Sequence, residues 1–238
     1  MTDPACWAIV PAAGVGRRMG GAIPKQYLPL NGRLVIDHAL ERMLLHPCVD
    51  GLYLALSEED RWWDDAAFAG HPDLVRVAGG RERCHSVLNA LERLQQRAAP
   101  DDWVLVHDAA RPCVRRGDID HLIQMVQSHD VGGLLGMPVH DTMKRTDGAD
   151  RVIETVERSH LWRALTPQMF RFGVLFSAIR DALDAGFMVT DEASAVERAG
   201  MRPIMVEGHP DNFKITRPED LSLAAYYLEM QEAERRRS

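Results

Sequence analysis

A short apolar run, Cys6 to Val10, leads directly into a loop of small residues, Pro11-Ala-Ala-Gly-Val-Gly16. The cations Arg17, Arg18 and Lys25 follow this loop. Small residues let backbone N–H groups approach an anion closely, and a helix that starts there adds a favourable dipole. Arginine and lysine side chains beside such a loop can meet several phosphate charges at once. This junction therefore predicts a β-strand that ends in a nucleotide-phosphate site.

Two familiar phosphate-binding motifs do not fit this loop. The dinucleotide-binding fingerprint requires glycine where Met19 stands and an acidic residue about twenty positions further on, at the end of the second strand. Here the second predicted strand begins only at Leu52, which disfavours a nicotinamide-dependent dehydrogenase. A Walker loop requires Gly-Lys-Ser or Gly-Lys-Thr after the glycines, and neither follows. The remaining interpretation is a phosphate-binding loop of another kind.

Apolar runs of strand length alternate with segments of helical period along the chain. The predicted strands are Trp7–Val10, Leu52–Leu56, Val75–Val77, Trp103–Val106, Gly133–Met137, Gln168–Phe172 and Pro203–Val206. Helical faces lie at 35–44, 87–94, 119–126 and 174–183, and a capping box at Thr216–Glu219 predicts a last helix. The alternation predicts an α/β fold with a doubly wound, mostly parallel sheet, whose ligands bind at the carboxyl ends of its strands.

One segment, 139–162, breaks the alternation. It is polar and β-prone, with Asp147-Gly148 near its middle, and predicts a hairpin-like β-arm protruding from a single domain of residues 1–238. A mobile surface loop is the alternative. Because an arm this polar needs a partner surface to become ordered, we expect dimerisation through it.

The composition argues against several classes of function. A formal net charge of −7 disfavours a protein that coats nucleic acid or an anionic membrane, although a local basic pocket for a small polyanion is compatible with it. No apolar run is long enough to span a bilayer, and the N-terminus lacks the features of a secretory signal. The four cysteines are scattered without a C-x-x-C pair, which favours reduced thiols in the cytoplasm over zinc or disulfides.

A second motif, Val104-Leu-Val-His-Asp-Ala-Ala-Arg-Pro112, ends a buried strand in polar residues. The aspartate at that edge, Asp108, is placed to hold Mg²⁺, whose other positions are taken by waters and phosphate oxygens. The alternative is an aspartate that caps the following turn. Arg111 would add a charge for a substrate phosphate, and His107 is expected to make a structural hydrogen bond rather than act as a base.

Further candidate residues stand where a strand or loop meets a helix. In a glycine-rich turn, the backbone of Gly80 and the hydroxyl of Ser86 suit recognition of a base edge, although a plain turn before a helix fits almost as well. The segments Thr190-Asp-Glu192 and Asp211–Thr216 occupy similar positions. In the second of these, Lys214 stands among apolar neighbours, as a cation aimed inward would.

Together these motifs resemble those of the 2-C-methyl-D-erythritol 4-phosphate cytidylyltransferase family of the non-mevalonate isoprenoid pathway. The matching blocks are Pro11–Met19, Pro24–Gln26, His107–Pro112, Asp141–Lys144, Thr166–Gln168, Thr190–Ala193 and Asn212–Thr216, which span nearly the whole chain in the family's order. The resemblance implies a Rossmann-like nucleotidyltransferase fold and a homodimer joined by protruding arms. It also implies that CTP and methylerythritol phosphate give CDP-methylerythritol and pyrophosphate, with Mg²⁺.

The resemblance also assigns roles to particular residues. It makes Arg18 and Lys25 the groups that stabilise the transition state, and Asp108 the metal ligand. Residues that match those holding CTP are Ala12, Ala13, Gly14, Gly16, Gly80 and Ser86. Residues that match those orienting the acceptor are Arg158, Lys214, Thr142, Thr190 and Arg111. Since Arg158 falls in the arm, it is expected to serve the neighbouring subunit's site.

This chemistry agrees with the residue types present. A phosphate monoester is already anionic near neutral pH, so the reaction needs in-line positioning and charge neutralisation at the α-phosphate rather than a general base. Two alternatives stay open at this point. One is a cytidylyltransferase for another polyol phosphate, such as ribitol 5-phosphate, and the other is a non-catalytic dimeric module that binds nucleotide.

Overall fold

The computed structural model describes residues 3–14 and 23–237. Its strands are β1 Cys6–Pro11, β2 Pro29–Leu30, β3 Arg33–Leu34, β4 Gly51–Leu56, β5 Leu74–Ala78, β6 Trp103–Val106, β7 Gly132–Pro138, β8 Met143–Thr146, β9 Val152–Val156, β10 Trp162–Arg171 and β11 Ile204–Glu207. Its helices are α1 Val35–Leu44, α2 Arg83–Leu94, α3 Arg116–Gln127, α4 Phe172–Asp184, α5 Glu192–Arg198 and α6 Glu219–Arg235. Each predicted strand overlaps an observed one, but Phe172 begins α4 instead of ending β10. No helix in this described part of the chain is long and apolar enough to cross a bilayer.

The main sheet has seven strands in the order β11-β7-β10-β6-β1-β4-β5. Neighbouring strands are parallel except at β10, which runs antiparallel to both β6 and β7. The register pairs Ile9 of β1 with Val106 of β6, and Pro11 with Ala55 of β4. The loops that follow these three strands therefore lie side by side at one edge. The predicted mostly parallel sheet is confirmed.

The central strands are buried on both faces, as their continuous apolar runs require. On β1, Ala8 and Val10 pack with α1 and α3, whereas Trp7 and Ile9 pack with α2, α4 and α5. Helices thus cover both faces, which is the doubly wound arrangement. Each fully buried leucine or isoleucine contributes about 2 kcal/mol to stability through burial. This double core holds the strand ends from which the site loops emerge.

Helix α6 holds the preceding segment, 211–216, against the rest of the fold, and Ile215 is buried with the inner face of α6. The helix begins at Glu219, but the predicted capping box with Thr216 is not formed. Instead, the Oδ2 atom of Asp220 accepts hydrogen bonds from the Thr216 N–H at 2.7 Å and from the next N–H at 2.9 Å. The predicted cap was wrong because the carboxylate one position further on reaches both donors.

Strands β8 and β9 form a separate antiparallel hairpin, with Met143 opposite Val156. Its side chains are nearly all exposed, and Val152 and Ile153 are each 62% exposed. The segment 139–162 therefore contains a hairpin in place of the mobile loop that was its alternative. Large apolar side chains exposed on both faces of a thin hairpin are typical of a contact surface, and dimerisation stays a prediction.

Candidate functional site

A cavity of about 370 Å³ opens at the carboxyl ends of β1 and β6, the edge where a parallel sheet binds its ligands. Its walls are the loop after β1, the start of α2, the turn after β6 and the segment before α6. The predicted site residues that line it are Ala12, Ala13, Gly14, Lys25, Gly80, Ser86, Asp108 and Lys214. The fold therefore gathers residues predicted separately for nucleotide, metal and acceptor.

The loop after β1 is shaped by a buried glutamine. The Nε2 atom of Gln26 donates to the carbonyl oxygens of Ala12 at 2.7 Å and Gly14 at 3.2 Å. Since Gln26 is only 4% exposed, breaking these bonds would leave a buried amide unpaired. Sequence analysis placed Gln26 in a motif but gave it no role, because spacing does not show where an amide points. The predicted Gly16 and Arg18 lie outside the described residues.

The turn between β5 and α2 packs directly against that loop. A Cβ atom on Gly79 would lie 2.2 Å from the Cβ atom of Ala13 and 3.1 Å from the Leu56 carbonyl oxygen. Glycine is therefore required at position 79 by the close approach of two loops. The Gly80 N–H donates to the Oγ atom of Ser86 at 3.0 Å, and Ser86 is buried. The Ser86 hydroxyl thus holds the turn in shape, and its contact with a base stays a prediction.

Asp108, the predicted metal ligand, is buried among cations. Its Oδ1 atom accepts a hydrogen bond from Arg83 Nε at 2.8 Å, and its Oδ2 atom accepts one from Lys214 Nζ at 2.9 Å. Arg111 Nε lies 3.6 Å from the same Oδ2 atom. Burial would raise the pKa of Asp108, but the charges of Arg83, Lys214 and Arg111 lower that pKa well below its ordinary value. The carboxylate is therefore ionised at neutral pH.

Arg83 links this carboxylate to a second one. Its Nη1 and Nη2 atoms donate to Glu192 Oε1 at 2.6 Å and Oε2 at 3.0 Å, which makes a bidentate pair. Glu192 is the first residue of α5 and is 1% exposed. Sequence analysis missed both roles, although each residue stands in a segment that it singled out. The partners are 109 positions apart, and no local pattern connects them.

The segment before α6 carries one cation and anchors two others. Lys214 reaches the buried carboxylate described above, and Lys25 Nζ donates to the adjacent Ile215 carbonyl oxygen at 2.7 Å. Arg111 Nη1 donates to the Asn212 carbonyl oxygen at 2.8 Å. Lys25 and Lys214 both line the cavity, whereas Arg111 supports the segment and is not among the lining residues.

His107 is fully buried and has a structural role. Its Nε2 atom lies 3.0 Å from the Arg111 carbonyl oxygen, which can only accept, so this nitrogen carries the proton. The Thr166 hydroxyl, 3.0 Å away, donates to the Nδ1 atom and accepts from the Asp108 N–H at 3.1 Å. Burial lowers the pKa of His107 to about 4. The ring is therefore neutral at pH 7, and it orients the turn that carries Asp108.

Stability is expected to fall as the pH is lowered from about 6.5 to about 4, in part through His107. An unfolded histidine, with a pKa near 6.5, binds a proton in this range, whereas the folded residue, with a pKa of about 4, does not. Its contribution is complete above about pH 6.5 and declines by roughly 3 kcal/mol towards pH 4. Urea unfolding at about pH 7.5 and about pH 5 measures this loss, which should be smaller in His107→Gln. Equal losses in the two proteins would exclude the histidine as the cause.

Some predicted acceptor contacts lie away from the cavity. Thr142 and Arg158 are exposed at the base of the arm, where Arg158 Nη1 donates to the His140 carbonyl oxygen. Thr190 Oγ1 donates to the Ser194 hydroxyl oxygen at 3.3 Å, beside the start of α5. None of these threonine or arginine side chains is among the lining residues of this chain's own cavity. Their contact with an acceptor stays a prediction.

Asp108 fits the chemistry of a magnesium ligand. In phosphate sites Mg²⁺ is usually held through one or two carboxylates, and waters and phosphate oxygens complete its octahedral shell. Each oxygen of an ionised carboxylate has about two lone-pair positions, and each Asp108 oxygen uses one of them for Arg83 or Lys214. Across residues 3–14 and 23–237, no cluster of three or more His, Cys, Asp or Glu could hold an ion. A metal would therefore depend on Asp108 and bound phosphates together.

The fold and the cavity together define the class of protein. A mostly parallel, doubly wound sheet with a small-residue loop and cations at its carboxyl edge is a Rossmann-like nucleotidyltransferase fold. The profile of the IspD family, 2-C-methyl-D-erythritol 4-phosphate cytidylyltransferase, matches residues 6–230. The chain belongs to this family.

Individual relatives agree with the family profile. The 2-C-methyl-D-erythritol 4-phosphate cytidylyltransferase of Hahella chejuensis is 53% identical over 236 residues, which cover 98% of each chain. The protein of the same name from Aeromonas hydrophila is 54% identical over 235 residues, covering 98% of this chain and 94% of its own. The crystal structure of the Francisella tularensis protein of that name has a TM-score of 0.81 and 38% identity, and the match covers 94% of this chain and 99% of its own. The predicted fold is thus confirmed.

Proposed function

We propose that this protein transfers cytidylate from CTP to 2-C-methyl-D-erythritol 4-phosphate, giving CDP-methylerythritol and pyrophosphate. The cavity carries the proposal, because Lys25, Lys214 and the ionised Asp108 converge there beside the loop after β1. The family and the named relatives support the same reaction. They do not favour a ribitol 5-phosphate cytidylyltransferase or a non-catalytic nucleotide-binding module.

In this reaction an oxygen of the acceptor phosphate attacks the α-phosphorus of CTP. The bond from that phosphorus to the oxygen bridging to the β-phosphate breaks, and pyrophosphate leaves with the electron pair. Because the acceptor is already an anion, the site must align two substrates and neutralise charge, and it need not remove a proton. Lys25 and Lys214 supply positive charge in the cavity. We assign Arg18 the same role.

Mg²⁺ is the cofactor that we assign to this site, with Asp108 as its protein ligand. The ion would neutralise phosphate charge during the transfer. Arg83 and Lys214 each hold one oxygen of Asp108, so the carboxylate keeps a defined orientation towards the cavity.

A pyrophosphate-release assay tests the proposed function. Release from CTP should require methylerythritol phosphate, should be much slower with ribitol 5-phosphate, and should stop when a chelator removes Mg²⁺. An absence of release with CTP, methylerythritol phosphate and Mg²⁺ would overturn the proposal. Faster release with ribitol 5-phosphate would reassign the acceptor.

Gly79→Ala is expected to raise the KM for CTP about 10-fold, because the added methyl group must displace the loop that carries Ala13. Steady-state kinetics with varied CTP measure this shift. Gly117→Ala is a matched control, since a Cβ atom at Gly117 meets nothing within 4 Å. An unchanged KM in the Gly79 variant would show that contact between the two loops does not govern CTP binding.

The arm is the part of the chain that we assign to contact with a second copy. Thr142 and Arg158 are exposed at its base, outside the cavity of their own chain, so a neighbouring cavity is the one that Arg158 would serve. The resulting homodimer would have sites completed by both chains. We expect the cytoplasm as its compartment, because all four cysteines are free thiols.

Replacing Val152 and Ile153 together by aspartate is expected to convert the dimer into monomers, because both exposed apolar side chains of the hairpin become charged. Sedimentation measures the change of mass. Leu45→Asp, at a 54% exposed apolar position outside the arm, should remain dimeric. A double variant that still sediments as a dimer would place the interface elsewhere.

A further inference from the structure

Arg83 stands where helix electrostatics disfavour it. It is the first residue of α2, and a cation at a helix N-terminus opposes the positive end of the helix dipole. Its guanidinium group is nevertheless fixed on three sides, through Nε to Asp108 and through Nη1 and Nη2 to Glu192. One arginine therefore joins the starts of two helices to the turn after β6.

Stability alone does not account for this arrangement. Glu192 is 1% exposed, so its charge has lost nearly all of its contact with water. A buried ion pair gains little over well-packed apolar side chains of similar size, because the loss of hydration offsets the attraction. Directional hydrogen bonds are what apolar side chains could not supply. The ion pair of Arg83 and Glu192 therefore points to a role in geometry.

Glu192 is itself held from both sides along the chain. The Nε2 atom of Gln168, on β10, donates to Asp191 Oδ2 at 2.9 Å. The Oε1 atom of the same side chain accepts from the Ala193 N–H at 2.8 Å. Because Gln168 is buried in the sheet, it fixes the Asp191 side chain on one side of Glu192 and the Ala193 backbone N–H on the other. The position of Arg83 is thus set by the sheet and not by a flexible surface group.

This chain of contacts ends at the cavity, which Arg83, Asp108 and Lys214 all line. Arg83 Nε donates a hydrogen bond to Asp108 Oδ1. The other carboxylate oxygen, Oδ2, accepts a hydrogen bond from Lys214 Nζ at 2.9 Å. Rotation of the carboxylate would break both contacts at once. We propose that Glu192 and Arg83 are positioning residues that act through Asp108 to set the place of its carboxylate and of Lys214. The expected fall in kcat rests on the proposed cytidylyl transfer. The expected change in the Asp108–Lys214 distance does not depend on any reaction.

A charge-free double variant separates positioning from simple support. Arg83→Met combined with Glu192→Met removes both charges of the pair, so Glu192 does not remain as a buried charge without its partner. The Asp108 carboxylate keeps Lys214 and Arg111 as counter-charges but loses the hydrogen bond at Oδ1, so the variant should fold with a lowered melting temperature. We expect kcat to fall about 10- to 100-fold, with a smaller change in the KM for CTP, as for other residues that orient a ligand side chain. A role in support alone predicts wild-type kcat in a folded double variant, and that result would overturn the proposal.

A conservative variant covers the case in which the double variant does not fold. Glu192→Gln keeps the shape of the side chain and loses its charge, so a wild-type kcat in this protein would also overturn the proposal. Glu197→Gln is the control, because Glu197 is exposed on the same helix and should leave kcat unchanged.

A crystal structure of a folded variant gives a readout that does not depend on activity. The Asp108 Oδ2 to Lys214 Nζ distance should lengthen beyond hydrogen-bond reach, and an unchanged distance would overturn the positioning role. If the wild type releases no pyrophosphate, the proposed function fails, and this distance still decides the inference.

Discussion

Lys25→Ala is expected to lower kcat about 100-fold or more, with a smaller change in the KM for CTP. The Lys25 ammonium group lines the cavity and is held 2.7 Å from the Ile215 carbonyl oxygen, so its charge is already in place before substrates bind. A charge held in advance needs no reorganisation as the reaction proceeds, and it acts on charge that develops in the transition state. Pyrophosphate release under saturating substrates measures kcat directly.

Arg93→Ala is the matched control for this prediction. It removes a cation from the exposed face of α2, away from the cavity, and should leave kcat unchanged. Arg18→Ala is expected to behave like Lys25→Ala, since both are assigned to the same role. Near-normal turnover in the Lys25 variant would count against that role and against the proposed neutralisation of the α-phosphate.

Asp108→Asn is expected to reduce both activity and stability. The neutral amide has one acceptor oxygen where the carboxylate has two, and its NH₂ group would face Arg83 or Lys214. Removing one partner from a buried ion cluster costs about 3 kcal/mol, because the remaining charges lose their compensation. We expect kcat to fall about 100-fold, because the proposed Mg²⁺ ion would lose its protein ligand. Urea unfolding and steady-state kinetics measure the two effects separately.

The pH dependence of this variant provides an independent check. Since the pKa of Asp108 is lowered by folding, its contribution to stability is complete above the unfolded pKa near 4 and is lost only as the pH falls further, towards the folded pKa. The stability difference between wild type and variant should therefore shrink below about pH 4. Asp181→Asn, at a side chain that is 72% exposed, should change neither stability nor kcat. A constant difference between Asp108→Asn and wild type across this range would mean that the carboxylate charge is not what stabilises the site.

The strands of the sheet were predictable from local sequence because burial on both faces requires a continuous run of apolar residues. A strand such as Trp103–Val106 must be apolar at every position, and helices on either side must show one apolar face. The loop Ala12–Gly14 was predictable as a site because small residues directly after such a strand let backbone N–H groups approach an anion closely. Asp108 was predictable for a related reason, since a carboxylate just after a buried strand lies at the edge of the sheet where ligands bind.

The strand order and the partners of the site residues were not predictable in the same way. That β10 inserts antiparallel between β6 and β7 depends on a chain reversal through the arm, and the hairpin turn alone does not specify it. The bidentate pair of Arg83 with Glu192 joins segments 109 positions apart. The hydrogen bonds of Gln26 to Ala12 and Gly14 depend on how closely two turns approach each other.

Local sequence therefore specified the elements of this protein, the edge where its ligands bind and the residue types available there. The assembled fold determined which charged side chains form ion pairs with each other. The physical reason is that apolar periodicity and turn chemistry act between near neighbours, whereas the pairing of buried charges is settled when strands from distant parts of the chain take their places in one sheet. Asp108 became the centre of the site only where Arg83 and Lys214 were brought from two other segments to join its near neighbour Arg111.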